Sequence, residues 1–356
     1  MRIEGSYRIE VARGDLAHHR TVSAPMRAEP GTVIASIDRF ALSANNVTYA
    51  VHGADLGYWR AWPATDDAHG VVPVWGFATI AEGEADGIRP GMRFWGFWPS
   101  ASHARLRPEA VSEAGFSDLS GGRGGMAPVY TRFTPAPVPA RPDEEDWLVL
   151  FRPLFTTGFL IGRAIGRRAS VRAVVLTSAS SKTALAAAWN LRRAGVAETF
   201  GLTAARHLAF VRSTGLFDAV LPYEDIGALP EAQPAVLVDI AGDLRLVGGI
   251  HARMRGLVES WIVGDTHRGP DEAGSLTLPG PARQLFFAPA VWAEEAAGPG
   301  AGALEAENGA ALSAFLGEAR AWFTVRRLEG PAGWGEAFRA LIEGTANPAE
   351  GFVIIP

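Results

Sequence analysis

The sequence predicts an α/β protein in two parts, a β-rich N-terminal region followed by a doubly wound parallel sheet. Three observations carry this reading. Residues 7–11, 32–40 and 71–81 alternate apolar and polar side chains between Pro and Gly turns, the pattern of short half-buried strands. Between residues 173 and 287, short apolar runs alternate with helical patterns, as parallel strands joined by crossover helices require. An aperiodic stretch, 111–142, containing SGGRGG (120–125) and TPAPVPARP (134–142), separates the two and has the composition of a flexible loop and a stiff connector.

Taken in order, RPGMRFWGFWP (89–99) reads as a turn feeding a strand, with Trp95, Phe97 and Trp98 more readily placed in a core than on a substrate wall. DEEDWLVLFRPLFTTGFLIGRAIG (143–166) opens with acids at a helix N-terminus and turns apolar. Strand candidates follow at 174–176, 199–203, 218–222, 235–242, 257–264 and 284–289, with helical patterns between most of them. A helix near 303–323 comes next, then a strand, a helix over 335–343 and a closing strand, GFVIIP.

Composition narrows the function classes. A chain of 356 residues has room for two domains. Its net charge of −5 gives no basic footprint for nucleic acid and no polybasic membrane signal. With no cysteine, it has no disulfide, no thiol nucleophile and no Cys-ligated zinc. The charged start, MRIEGSYRIEVARGD, is unlike a secretory signal, and no run approaches about eighteen apolar residues. The expectation is a cytoplasmic protein that acts on a small molecule.

The most informative stretch is 173–194, AVVLTSASSKTALAAAWNLRRA. Four apolar residues form a buried strand, a Ser-rich turn follows, and a helix starts at Lys182. The N–H groups and dipole of a helix N-terminus make such a turn an anion site. Lys182 is the only lysine in the chain and stands where a phosphate would lie. The run SSKT imitates the tail of a P-loop, but Leu176 and Ser181 occupy the places of its two glycines. A lysine after serines also suggests a pyridoxal Schiff base, against which the order of elements argues.

The order of parts resembles the medium-chain dehydrogenase/reductases over nearly the whole chain, nearest to their zinc-free quinone-oxidoreductase branch. The residues that carry the resemblance are the PG-x-R-F-W-G turn, the βα sheet, and the ending AFRALIEG…GFVIIP. ANNVTYAVHG, PVWGFA, RPLFTTGFL and SASSKTA also resemble a bacterial domain-of-unknown-function family on that scaffold. The resemblance implies a GroES-like substrate domain over 1–140 and 323–356 and a Rossmann domain over 141–322. It further implies NADPH as hydride source, no metal, a homodimer, and reduction of a quinone or α,β-unsaturated carbonyl.

Ser178, Ser181 and Ala184 replace the small residues that relatives place over the pyrophosphate. Two readings fit: Ser178, Ser180, Ser181, Lys182 and Thr183 contact phosphate through side chains, or the loop has drifted and binds no dinucleotide. After the second strand no carboxylate occurs before Phe217, whereas Thr203 and Arg206 are present, which points to a 2′-phosphate; the alternative is a solvated Arg206. Asp239, Gly264, Thr266 and His267, at the ends of later strands, are further cofactor candidates, although a lone histidine such as His267 is more often a satisfied surface or core residue. In ALSANNVTYAVHG, Asn46 and Tyr49 are the catalytic candidates, with Tyr49 giving a proton or hydrogen bond to the substrate oxygen. The competing reading has Asn45 capping a helix and Tyr49 packed in the core. A relative that binds nucleotide without chemistry is the alternative to an enzyme.

Overall fold

Of the alternating N-terminal segments, 7–11 falls in a three-stranded sheet, while 32–40 and 71–81 fall in a nine-stranded sheet. Its order is Glu109–Ser112, Gly115–Ser117, Arg132–Pro135, Arg93–Pro99, Pro73–Gly83, Val33–Leu42, Glu350–Ile355 and Thr324–Glu329, with His103–Leu106 also pairing Val33–Leu42. The C-terminal strand runs antiparallel to the strand at 33–42, Phe352 facing Leu42 and Ile354 facing Phe40. Trp95, Phe97 and Trp98 are buried in this sheet's core, and the Trp98 indole donates to the Gly76 carbonyl at 3.0 Å. The computed structural model describes residues 2–139, 141, 143–195, 197–264 and 278–356. Its compact units are Met1–Leu150 with Val325–Pro356, and Phe151–Thr324.

In the second unit the apolar runs form a six-stranded parallel sheet: β1 (Ala173–Leu176), β2 (Glu198–Thr203), β3 (Ala219–Pro222), β4 (Ala235–Asp239), β5 (Leu257–Ile262) and β6 (Arg283–Leu285). Their spatial order, β3-β2-β1-β4-β5-β6, is that of the Rossmann fold, with the direction of winding reversing between β1 and β4. The helix Lys182–Ala194 lays Ala184, Ala187 and Leu191 against Val174, Leu176, Val236 and Val238. The helix Glu144–Gly166 comes close to it at Gly158, where a Cβ would stand 2.6 Å from the Ala187 nitrogen. On the other face of the sheet, Leu246, Val247 and Ile250 of the helix Leu244–Arg253 cover Val175 and Leu237.

Two stretches differ from the sequence expectation. The Gly-rich run at 120–125 is pinned rather than loose. Arg123, 4% exposed, bonds Asp118 at 2.6 Å and the Ala61 carbonyl at 2.8 Å, with its guanidinium 4.1 Å from the Trp62 ring centroid. The Pro-rich connector begins as a strand, Thr134 opposite Trp95, and the chain passes from one unit to the other inside the helix Glu144–Gly166. That helix alone, among the described residues, has the length and composition of a membrane span, and it is mostly buried within the protein.

The first turn of this helix is held by charge. Asp146, with no exposed surface, accepts from Arg39 at 2.7 Å and from Arg327 at 2.6 Å. Arg93 lies between Asp38 and Glu145, at 2.9 and 2.7 Å. Removing one member leaves its partners' charge uncompensated. Asp146→Asn is therefore expected to lower the first unit's stability by about 3 kcal/mol in urea unfolding. An unchanged midpoint would show that the cluster contributes nothing.

Candidate functional site

β1 and β4 are joined at their carboxyl ends by buried polar groups. The Thr177 hydroxyl donates to Asp239 Oδ1 at 2.8 Å and accepts from the Ile240 and Ala241 amides at 2.8 and 3.0 Å. Asp239 also accepts from the Gly242 amide at 3.1 Å and from Arg283 of β6 at 2.5 Å. Beside it His251 is buried and held below its ordinary pKa by desolvation. Its Nδ1 lies 2.9 Å from the Pro279 carbonyl and must donate there, so Nε2 accepts from the Ser260 hydroxyl at 3.0 Å. Asp239, a cofactor candidate from sequence, thus has no exposed surface and braces the strand ends from beneath.

Above this brace the Ser-rich turn is well defined. Ser178 has φ of 52°, a left-handed conformation that glycine adopts without strain and serine does not. It is fixed by the Ser181 amide donating to its carbonyl at 2.8 Å, and by the next amide, Ala179, bonding the Leu202 carbonyl of β2 at 2.9 Å. Ser181 caps the helix, its hydroxyl accepting from the Ala184 amide at 3.2 Å. Ser180 takes a hydrogen bond from buried Thr203 at 3.3 Å. Lys182 holds its ammonium 5.1 Å from the Phe323 ring centroid, a cation–π contact. Thr183 is half-buried in the first helical turn.

The remaining candidates are spread around the strand ends. Arg206 is exposed in the 3-10 turn Ala205–His207 beyond β2, its Nε donating to His207 Nε2 at 3.1 Å. Burial, then the Arg206 charge, lowers the His207 pKa. Gly264 follows β5, its amide bonding the Asp239 carbonyl at 3.2 Å. Thr266 and His267 lie outside the described residues.

Sequence reasoning missed Tyr223, which stands directly after β3. Burial pushes its phenol pKa up to about 12, with Ser178 acting in the opposite direction. Its position after the Pro that ends a strand was the available signal.

In the first unit the structure separates the two catalytic candidates. Asn46 is a brace: its Oδ1 accepts from the Ser43 amide at 2.9 Å and its Nδ2 donates to the Pro73 carbonyl at 3.1 Å. Ser43, rather than Asn45, is the residue that caps this helix, Ala44–Val51. Tyr49 belongs to a buried aromatic group with Tyr58, Trp75, Phe97 and Tyr130. Its oxygen accepts from the Trp75 indole at 3.1 Å, while Tyr58 and Tyr130 share a hydrogen bond at 3.2 Å. Burial raises the Tyr49 pKa well beyond the ordinary range, so the phenol stays protonated. Tyr58, Tyr130 and Trp75 were not singled out from sequence, because they come from segments far apart in the chain. Among the described residues no group of three or more His, Asp or Glu side chains is arranged to hold a metal ion.

A family model described as a protein of unknown function, DUF2855, matches residues 40–347. The chain belongs to this family. No curated protein sequence matches this DUF2855 member. Its fold is shared with several solved structures. CurA from Vibrio vulnificus in complex with NADPH is similar at a TM-score of 0.64 and 12% identity, over 98% of each chain. CurK enoyl reductase gives 0.58 at 14% identity over 98% of this chain and 99% of its own. S. aureus TarJ in complex with NADPH gives 0.58 at 10% identity over 100% and 99%. The DUF2855 chain therefore shares the fold of these structures, a strand-rich part and a Rossmann-ordered parallel sheet, as its sequence implies.

The chain's five tyrosines, Tyr7, Tyr49, Tyr58, Tyr130 and Tyr223, all have raised pKa values, with burial the leading cause. Unfolded tyrosines ionise near pH 10, so above that pH the unfolded chain binds fewer protons than the folded one and stability falls as pH rises. Denaturant midpoints are expected to drop above about pH 10, with phenolate absorbance appearing together with unfolding. Phenolate forming in a fully folded protein would contradict the burial of these groups.

Proposed function

We propose that this DUF2855 protein is an NADPH-dependent, metal-free oxidoreductase that reduces a quinone or α,β-unsaturated carbonyl. The observation that carries the reading is the capped helix N-terminus of Lys182–Ala194, opening from β1 at the winding reversal of a Rossmann-ordered sheet. The loop suits the group in one further respect: Ser178 takes a left-handed backbone and its carbonyl accepts the Ser181 amide, a tight turn leading from β1 into the helix.

In this reading Ser178, Ser180, Ser181, Lys182 and Thr183 hold the diphosphate, and Arg206 takes the 2′-phosphate. Bound NADPH supplies hydride. Tyr49, held neutral by burial and accepting from the Trp75 indole, gives a hydrogen bond to the substrate oxygen as negative charge develops there. Its raised pKa suits it to stabilise that oxygen without surrendering its own proton, so the proton that completes the reduction comes from solvent. Zinc chemistry of the Cys-ligated kind is outside the reach of a chain with no cysteine. A cytoplasmic homodimer acting on a small molecule fits the same reading.

A second reading, nucleotide binding without turnover, draws support from the internal partners that the side chains of Ser180, Ser181 and Lys182 already have. An assay of NADPH oxidation against quinones and enones separates the two: consumption of both reactants is expected, and binding without oxidation favours the second. In calorimetry, Arg206→Ala is expected to weaken NADPH about 10- to 100-fold and leave NADH nearly unchanged; equal losses count against a 2′-phosphate site. Tyr49→Phe is expected to lower kcat about 100-fold with NADPH affinity unchanged. Full turnover by that variant would remove Tyr49 from the chemistry.

A further inference from the structure

The indole of Trp75 restricts where the Tyr49 hydroxyl can send its proton. Trp75 lies in the strand Pro73–Gly83, opposite Phe97 of Arg93–Pro99, and both strands are interior to the nine-stranded sheet. Its ring is held by its neighbours. It stacks on Trp95 with centroids 5.8 Å and planes 13° apart, and its centroid lies 4.9 Å from that of Phe97. The strand beneath is equally constrained: a Cβ on Gly76 would stand 2.3 Å from the Arg39 carbonyl, and the Trp98 indole bonds the Gly76 carbonyl at 3.0 Å. From this fixed place the Trp75 Nε1–H reaches the Tyr49 oxygen at 3.1 Å, both side chains being buried.

An indole nitrogen donates and never accepts. The Tyr49 proton is therefore barred from this contact and has to be given elsewhere. The Tyr58 ring is 4.5 Å from that of Tyr49, but the Tyr58 and Tyr130 hydroxyls spend a hydrogen bond on each other at 3.2 Å. A hydroxyl that receives one hydrogen bond also gives a stronger one, because linked bonds polarise each other in a low-dielectric interior. Phe97, against which both rings rest, has no exposed surface, whereas Tyr49 and Trp75 keep 6 and 8% of theirs. The group is thus closed on the Phe97 side.

We propose that Trp75 is a positioning residue for the reduction: its indole N–H turns the Tyr49 proton toward the substrate oxygen and strengthens the hydrogen bond given there. The inference rests on the reading of Tyr49 as the donor to substrate and adds a residue that acts through it. The benefit grows as negative charge develops on that oxygen. Loss of the indole N–H therefore appears in kcat, with KM little changed.

The experiment is steady-state kinetics with NADPH and menadione or cyclohexenone on the full-length protein, Tyr49→Phe, Trp75→Phe and the double variant. Trp75→Phe keeps an aromatic ring for the stack and lacks the N–H. Its kcat is expected to fall about tenfold with KM and NADPH affinity unchanged, and in the Tyr49→Phe background the same substitution is expected to cost nothing further. Full kcat in Trp75→Phe, a loss carried in KM, or losses that multiply in the double variant overturn the positioning role and leave Tyr49 standing. Full turnover by Tyr49→Phe, or no NADPH oxidation with either substrate, removes the Tyr49 reading and the role of Trp75 with it. Should Trp75→Phe fail to fold, nitrogen-15 spectra of the indole groups decide: Tyr49→Phe is expected to shift one of the eleven tryptophan N–H resonances well beyond the rest, and a spectrum without such a shift overturns the role.

Discussion

One hydroxyl fixes the geometry on which the second unit's site depends. Thr177 joins the end of β1 to the end of β4 by giving its proton to Asp239 and receiving two amides from the chain beyond it. This satisfies backbone groups at the point where the winding reverses and no crossover helix covers them. Asp239 then needs a counter-charge, and Arg283 brings it from β6. β1, β4 and β6 are thus tied at one end of the sheet, and the Ser-rich turn sits on a fixed base. An apolar residue at 177 would leave the Ile240 and Ala241 amides buried without their acceptor.

The first unit solves a comparable problem with aromatic residues. Tyr49, Tyr58 and Tyr130 bring three hydroxyls into a buried group, where each needs a partner. Trp75 serves Tyr49, and the other two serve each other. The outcome is a rigid set of neutral phenols with little freedom to ionise. Such a set is suited to offering a hydrogen bond and poorly suited to storing charge, which is why the proposed role of Tyr49 is that of a donor.

Much of the fold was legible in the sequence because it is written locally. AVVL and AVLVD are too apolar and too short to be anything but buried strands, and the alternation in 32–40 placed a strand that the structure extends to Val33–Leu42. The site was less legible because its side chains find partners that lie far away in sequence. Asp239 was read as a cofactor ligand, but Arg283, 44 residues later, and Thr177, 62 residues earlier, engage it. The lone lysine was read as a phosphate ligand from its position, and only the structure brings Phe323 beneath its ammonium. Asn46 had a local signal, since Ser43 three residues before it completes a capping arrangement, and this was passed over for Asn45.

The serines at 178 and 181, in place of the small residues expected over a pyrophosphate, are the departure that most tests the account. The Ser178 backbone takes the left-handed conformation and the Ser181 hydroxyl caps the helix, so the turn accommodates both residues. The direct measurement is a crystal structure of the protein soaked with NADP⁺. The account predicts electron density for a diphosphate over residues 178–183, with the nicotinamide half running toward β4 and β5. A loop unchanged and bare at saturating NADP⁺ would contradict it.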